Sequence, residues 1–249
     1  MAPSNLIYNH FVEIQIGVAK INKYASSESG DTLEVVERPG GGLSVVLADG
    51  QRSGKSAKLI SNMVVRKVIS LLAEGVRDGA AARAASDYLY THRDGKVQST
   101  LNILSIDLES RSVVITRNNP SPVLANSDSK TKALDEESQP VGLRRGTRPV
   151  IHEMELHSGL TIVTFTDGLP FAGVRRDQPL DIIAEFERLL AKGAAPQDVA
   201  DGLMAEALKR EQDRPGDDIS ILALGVLPRG KDEVRRMWAR LPLPTAAGK

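Results

Sequence analysis

Cysteine is absent from the 249 residues. Disulfides, thiolate-bound zinc, iron–sulfur clusters and cysteine nucleophiles are excluded together. Histidine is scarce: His10, His92, His152 and His157 are too few and too scattered for a histidine-rich metal site. His152 and His157 flank the stretch EMEL at i and i+5, on opposite faces of a strand, so a joint site is not expected. Neither sign of charge is in surplus. Thirty-two Lys+Arg face 32 Asp+Glu, which argues against a dedicated nucleic-acid binder, since such a protein needs excess cations to displace counterions. No apolar run approaches the ~20 residues of a spanning helix, and the start MAPSNLIYNHF lacks the basic and apolar regions of a signal peptide. The expectation is a soluble, cytoplasmic, stand-alone protein with neither nucleic acid nor membrane as partner.

What is present is ordinary globular material, 41% apolar and 26% charged, so wholesale disorder is excluded. Period-two alternation in FVEIQIGVA predicts a half-buried strand over 11–19. Strands over 33–37 and 43–48 flank a Pro-Gly turn and read as a hairpin. Leu59, Met63, Val64, Val68, Leu71 and Leu72 then recur at three- and four-residue spacing, predicting an amphipathic helix over 56–74. An alanine-rich helix follows over 79–92. Further strands are expected at 97–108, 112–117, 122–125, 150–156, 160–165 and 219–226, with helices at 179–191 and 196–211. Strands in consecutive runs joined by short turns imply antiparallel neighbours. The fold class is therefore α+β: two antiparallel sheets face to face with helices outside, a four-layer αββα sandwich. Residues 1–227 form one domain. Residues 126–137 are polar and expected as a mobile loop. Residues 228–249 are expected as a basic tail with one short helix, carrying Trp238 as a surface anchor or docking element, and a disordered end.

The informative pattern is where aspartates fall. Asp31 follows Ser29-Gly30 between the first strands. Asp49-Gly50 ends LSVVLA, Asp167-Gly168 ends LTIVTFT, and Asp217-Asp218 opens ISILALGV. A single Asp-Gly is common turn chemistry; repetition at the ends of separate strands makes a pattern. If the carboxylates converge they repel, at roughly 3 kcal/mol per pair for charges ~5 Å apart at an effective dielectric of ~20. Convergence therefore calls for cations, and an all-oxygen donor set suits Mg²⁺ or Mn²⁺. The plainer alternative is four unrelated turn aspartates.

The runs Ser29-Gly30-Asp31, Ala48-Asp49-Gly50, SGKSA, Thr166-Asp167-Gly168 and Asp217-Asp218-Ile219-Ser220, in this order, resemble the metal-dependent protein phosphatases, in particular the bacterial SpoIIE-like branch. QPVGL at 139–143 and RNNPSPVLA at 117–125 resemble connecting segments of that branch. The resemblance covers about 11–226. It implies a serine/threonine phosphoprotein phosphatase on the αββα sandwich, with two Mn²⁺ or Mg²⁺ ions. Asp31, Asp49, the Gly50 carbonyl, Asp167 and Asp217 match the metal-holding positions, with Asp49 bridging the ions and Asp49 and Asp167 central to catalysis. Asp218 matches a supporting position behind them. A metal-bridging water would attack phosphorus in line, without a phosphoenzyme. The implied partner is a phosphorylated regulatory protein of a bacterial partner-switching or stressosome pathway. In that branch the helix pair at 56–74 and 79–92 lies against the metal site and can switch it.

One position departs from the pattern. Where the family continues Asp-Gly-x-Gly, this chain has Asp49-Gly50-Gln51-Arg52. Arg52 at the mouth of the site could grip a phosphate bidentately or point to solvent. Two other readings stand beside the enzyme: a catalytically inactive phosphatase-like binding module, and a P-loop built from GQRSGKS. The latter lacks its first glycine, because Asp49 stands there. Ser44, Ser53 and Ser56 have neither a neighbouring histidine nor a nucleophile elbow.

Overall fold

The computed structural model describes residues 12–230 and 232–243. Ten strands are formed: β1 (Val12–Ile21), β2 (Asp31–Glu37), β3 (Leu43–Gly50), β4 (Ser99–Asp107), β5 (Ser112–Asn118), β6 (Val123–Ser127), β7 (Lys130–Leu134), β8 (Val150–Glu155), β9 (Thr161–Phe165) and β10 (Ile219–Pro228). Four helices accompany them: α1 (Gly54–Ala73), α2 (Asp78–Arg93), α3 (Ile182–Ala191) and α4 (Pro196–Arg210). One sheet runs β1-β10-β9-β6-β7 and the other β2-β3-β4-β5-β8. Every pairing is antiparallel, and the two sheets pack as the αββα sandwich expected from the strand runs.

Three apolar layers hold the sandwich. Val45, Leu47, Leu104, Ile162, Leu222 and Leu224 pack between the sheets. Ile60, Val64, Val68 and Leu72, the buried stripe of α1, meet Ala81, Ala85 and Leu89 of α2 over one outer face. Phe186 and Leu203, from α3 and α4, cover the other with Phe165 and Ile221. The alternate residues of β10 enter different layers, Leu222 and Leu224 facing inward and Ile221 and Ala223 outward. A strand buried on both faces reads as an unbroken apolar run, which is why ISILALGV shows no alternation.

Two expectations are corrected. The segment 126–137 is no loop: β6 and β7 form a hairpin in register Ser127↔Lys130. Asp128 and Ser129 both turn at positive φ, 51° and 61°, as the favoured two-residue hairpin requires. The lysines that read as loop polarity lie on an edge strand, where charge blunts unwanted pairing. The tail carries no helix over 232–243, and Trp238 is 74% exposed and anchors none. The remainder of the tail, 244–249, and the predicted start of the first strand at Phe11 lie outside the described residues.

The P-loop reading also fails on topology. The flanking neighbours of β3 are β2 and β4, both antiparallel, so the β3–α1 turn belongs to no parallel βαβ unit. None of the helices of the described residues is long and apolar enough to cross a membrane.

Candidate metal centre

The strand register gathers one end of each sheet. Asp31, the first residue of β2, lies directly opposite Asp49, near the end of β3. In the other sheet β9 and β10 pair with Phe165 near Ile221, which brings Asp167, just past β9, beside Asp217 and Asp218, just before β10. Both ends open on one cavity of about 330 Å³, lined by Asp49, Asp167 and Asp217 together with Lys23, Arg52 and Ser99. Register sets the partners within each sheet, and the packing of the two sheets brings together residues as far apart as Asp31 and Ser220, 189 positions away.

Asp31 is fully buried. Its Oδ2 accepts from Ser220 Oγ at 2.6 Å and from Thr166 Oγ1 at 3.0 Å, so the carboxylate of one sheet is fastened to the other. Its Oδ1 is buried with no hydrogen-bond partner. Such an orphaned anionic oxygen is costly unless something fills it. Burial is the main force raising the Asp31 carboxyl above its ordinary range, against the bonds from Ser220 and Thr166 and the charge of Lys20.

Asp49 is pushed up to about 9, first by burial and then by the charges of Asp31 and Asp167, with Asp217 adding to them. Asp167 rises to about 6, again first by burial, then by Asp217, Asp31 and Asp218. The four carboxylates are thus electrostatic neighbours that repel one another. Among the described residues no three acidic or imidazole groups are gathered tightly enough to enclose an ion as they stand. The donor set nevertheless fits a hard divalent cation. It is all oxygen and it crowds one cavity. It also includes a buried oxygen without a partner.

Asp218 is turned to a different task. Its Oδ1 accepts from the backbone N–H of Lys23 at 2.8 Å and its Oδ2 from that of Gly30 at 2.7 Å. It pins both ends of the β1–β2 loop and so carries Asp31 into place. Two glycines are dictated by close approach. A Cβ on Gly50 would lie 2.0 Å from the Ala57 carbonyl oxygen of α1, and one on Gly168 would lie 2.1 Å from that of Asp218. Arg52 lines the cavity at φ 81°. Arg52 therefore occupies the left-handed region that favours glycine while bringing a guanidinium to the cavity.

Several contributors carried no sequence signal. Lys20 and Lys58 each donate from Nζ to the Asp31 carbonyl oxygen at 2.6 Å. Lys20 is lowered to about 8, first by burial and then by the neighbouring Lys58 charge. Ser61 Oγ donates to the Gly30 carbonyl at 2.5 Å, so α1 is laced to the strand that bears Asp31. Ser99 Oγ donates to the Asp49 carbonyl at 2.6 Å, and Val141 pairs with Ser99 through both backbone bonds, which assigns the QPVGL stretch the task of bracing β4. Lysines and serines at ordinary spacing do not reveal such partners. His152 and His157 remain apart, the first bonded to Glu136 and the second to Ser127.

Sandwich and acidic cavity together define the class: an α+β phosphatase-type fold of the PP2C kind. A solved structure of the PP2C phosphatase domain and a regulatory-domain fragment of SpoIIE from Bacillus subtilis matches with a TM-score of 0.75 at 19% identity, over 88% of this chain and 64% of that one. The catalytic domain of the serine/threonine phosphatase PstP, in complex with two manganese ions, matches with a TM-score of 0.67 at 12% identity, over 87% of this chain and all of that one. At such identities these likenesses establish the fold. Residues 39–227 match the family described as Stage II sporulation protein E (SpoIIE), and the chain belongs to that family. Stage II sporulation protein E of Bacillus subtilis (strain 168) is 21% identical over 231 residues. Those residues are 93% of this chain and 27% of that relative, so the chain spans about a quarter of its length.

Proposed function

We propose that this chain is a Mn²⁺- or Mg²⁺-dependent phosphatase that hydrolyses phosphoserine or phosphothreonine in a regulatory protein of bacterial signalling. The observation that carries the reading is electrostatic. A folded protein holds Asp49 at about 9 and Asp167 at about 6, beside an unpartnered Asp31 oxygen. Such an arrangement costs stability unless divalent charge compensates it.

Asp31, Asp49, Asp167 and Asp217, with the Gly50 carbonyl, would hold two ions. When bound, such ions supply positive charge for phosphoryl oxygens and an acidified water for attack on phosphorus. The chain's own residues do the rest. Asp49, at about 9, would have to give up its proton to hold a cation, whereas Asp167, at about 6, is already largely ionised at neutral pH. Ser220 and Thr166 hold the Asp31 carboxylate in a single orientation, and Asp218 keeps the β1–β2 loop closed behind it. Lys23 and Arg52 are the cations among the cavity-lining residues, suited to receive the phosphate of an incoming side chain. A cavity rim open to solvent fits a protruding phosphorylated side chain of a protein substrate.

Hydrolysis of p-nitrophenyl phosphate and of a phosphoserine peptide, with Mn²⁺ and then with excess EDTA, tests the reading. Turnover should require the metal. Asp49→Asn should remove several kcal/mol of transition-state stabilisation, a loss of about a thousandfold or more. Turnover unaffected by EDTA would overturn it. Metal binding without turnover would favour the inactive binding module instead.

A further inference from the structure

The family match ends at residue 227, and the segment beyond it has a pattern of its own. Val234, Met237, Trp238 and Leu241 recur at i, i+3, i+4 and i+7. Wound as a helix they form one apolar stripe about 100° wide, with Arg235, Arg236 and Arg240 on the remaining surface. Signals for a helix start and stop are both in place. Asp232 Oδ1 accepts from the Val234 N–H at 2.9 Å, an Asx-type bond that an N-cap residue would keep in a helix, and Pro242 ends any helix at Leu241. Yet over 232–243 the chain is not helical. Val234, Met237, Trp238 and Leu241 are 65%, 75%, 74% and 84% exposed. A helix of fewer than three turns is marginal in water without a surface to bury its stripe. The described residues leave that stripe uncovered.

We infer that residues 232–241 form an amphipathic helix on an anionic lipid surface. Charge selects the surface. The chain as a whole is neutral, but Arg229, Lys231, Arg235, Arg236 and Arg240 stand against only Asp232 and Glu233 in this stretch. Basic flanks around an apolar stripe that contains tryptophan match helices lying in the headgroup region. A protein groove would use the stripe but not require the basic surplus. Such a helix lies on a membrane rather than crossing it, so the absence of a spanning helix among the described residues does not oppose it, and the expectation of no membrane partner is here replaced. Placement agrees with function. Arg235 Nη2 donates to the Gly41 carbonyl at 3.0 Å, at the β2–β3 turn, and β2 and β3 run from that turn to Asp31 and Asp49 at their other end. Docking there leaves the acidic cavity facing away from the lipid.

Trp238 is the sole tryptophan of the chain, so its emission reports the segment directly. The full chain would be mixed with vesicles of phosphatidylcholine alone or containing a third phosphatidylglycerol, followed by flotation, Trp238 fluorescence and circular dichroism. Expected are co-flotation, a blue shift and a gain of helix with the anionic vesicles only, reversed by high salt. Replacing Arg235, Arg236 and Arg240 by Gln should lower partitioning on the order of a hundredfold, and Leu241→Asp should abolish the blue shift. Turnover of a soluble phosphopeptide should be unchanged in both variants. Absence of flotation and blue shift at low salt would overturn the proposal, as would equal binding to neutral vesicles. A blue shift that survives all three arginine replacements would also overturn it, showing apolar partitioning with no selection by charge.

Discussion

The acidic cavity and the C-terminal segment store their chemistry in opposite ways. In the cavity, charged groups are buried together, drawn from β2, β3 and the turns beside β9 and β10, and each raises the cost of ionising the next. In the segment, apolar groups are exposed together within ten consecutive residues, and each awaits the same surface. The first is strained by what folding has brought in, the second by what folding has left out. Functional tension can therefore reside in a like-charge cluster or in an uncovered stripe, and the two answer to different perturbations.

The largest effect should come from breaking the cavity's charge. Asp49→Asn is expected to cost about a thousandfold in Mn²⁺-dependent turnover, while the apo protein melts no lower than the parent. Steady-state kinetics and calorimetry on the same sample separate the two. Gly50→Ala should strike the fold instead. A Cβ 2.0 Å from the Ala57 carbonyl oxygen forces α1 outward at about 1–3 kcal/mol, or ~2–4 °C of melting temperature per kcal/mol for a chain of this size.

Acidity sharpens the comparison further. Folding raises Asp49 to about 9 and Asp167 to about 6, so the native state holds more protons than the unfolded one between those values and the ordinary carboxylate range. The site's contribution to stability is full at low pH and is lost as pH rises through about 6 and then about 9. In EDTA the parent should therefore lose stability from pH 5 to pH 9 relative to Asp49→Asn, and Mn²⁺ should remove most of that difference. Parallel melting curves for the two proteins would contradict it.

Arg52→Gly probes the rim. Relief of the left-handed backbone at φ 81° should stabilise the protein by about 0.5–1 kcal/mol after glycine's own entropy is counted, while the KM for a phosphopeptide rises. An unchanged KM would assign Arg52 to solvent. Smallest of all, Leu241→Asp should alter folding stability by less than about 0.5 kcal/mol, because a side chain 84% exposed contributes little to the fold.

Much of this architecture is local and was legible. The period-two and period-three-to-four patterns name most strands and α1, because burial of one face imposes its spacing directly on the chain. The Asp-Gly pairs at strand ends are visible for the same reason: an apolar run ends where the backbone must turn. Polar composition misled at 126–137, since an edge strand and a loop both face water and only the ladder to β6 distinguishes them. In the tail the helical spacing was present without a helix, because spacing states what a surface would stabilise and not whether that surface exists.

What the amino-acid order determined by itself was the set of elements, their antiparallel succession and the oxygen-only chemistry left by a chain without cysteine. What only the tertiary structure decided was company. It placed Asp31 opposite Asp49, hung the Asp31 carboxylate on Ser220 and Thr166 of the other sheet, turned Asp218 to the loop, and set Lys20 and Lys58 on one carbonyl. Local periodicity records which face of an element is buried. It does not record which distant residue lies on the far side of that face, and charge–charge energies depend on that distance and on how deeply the pair is buried.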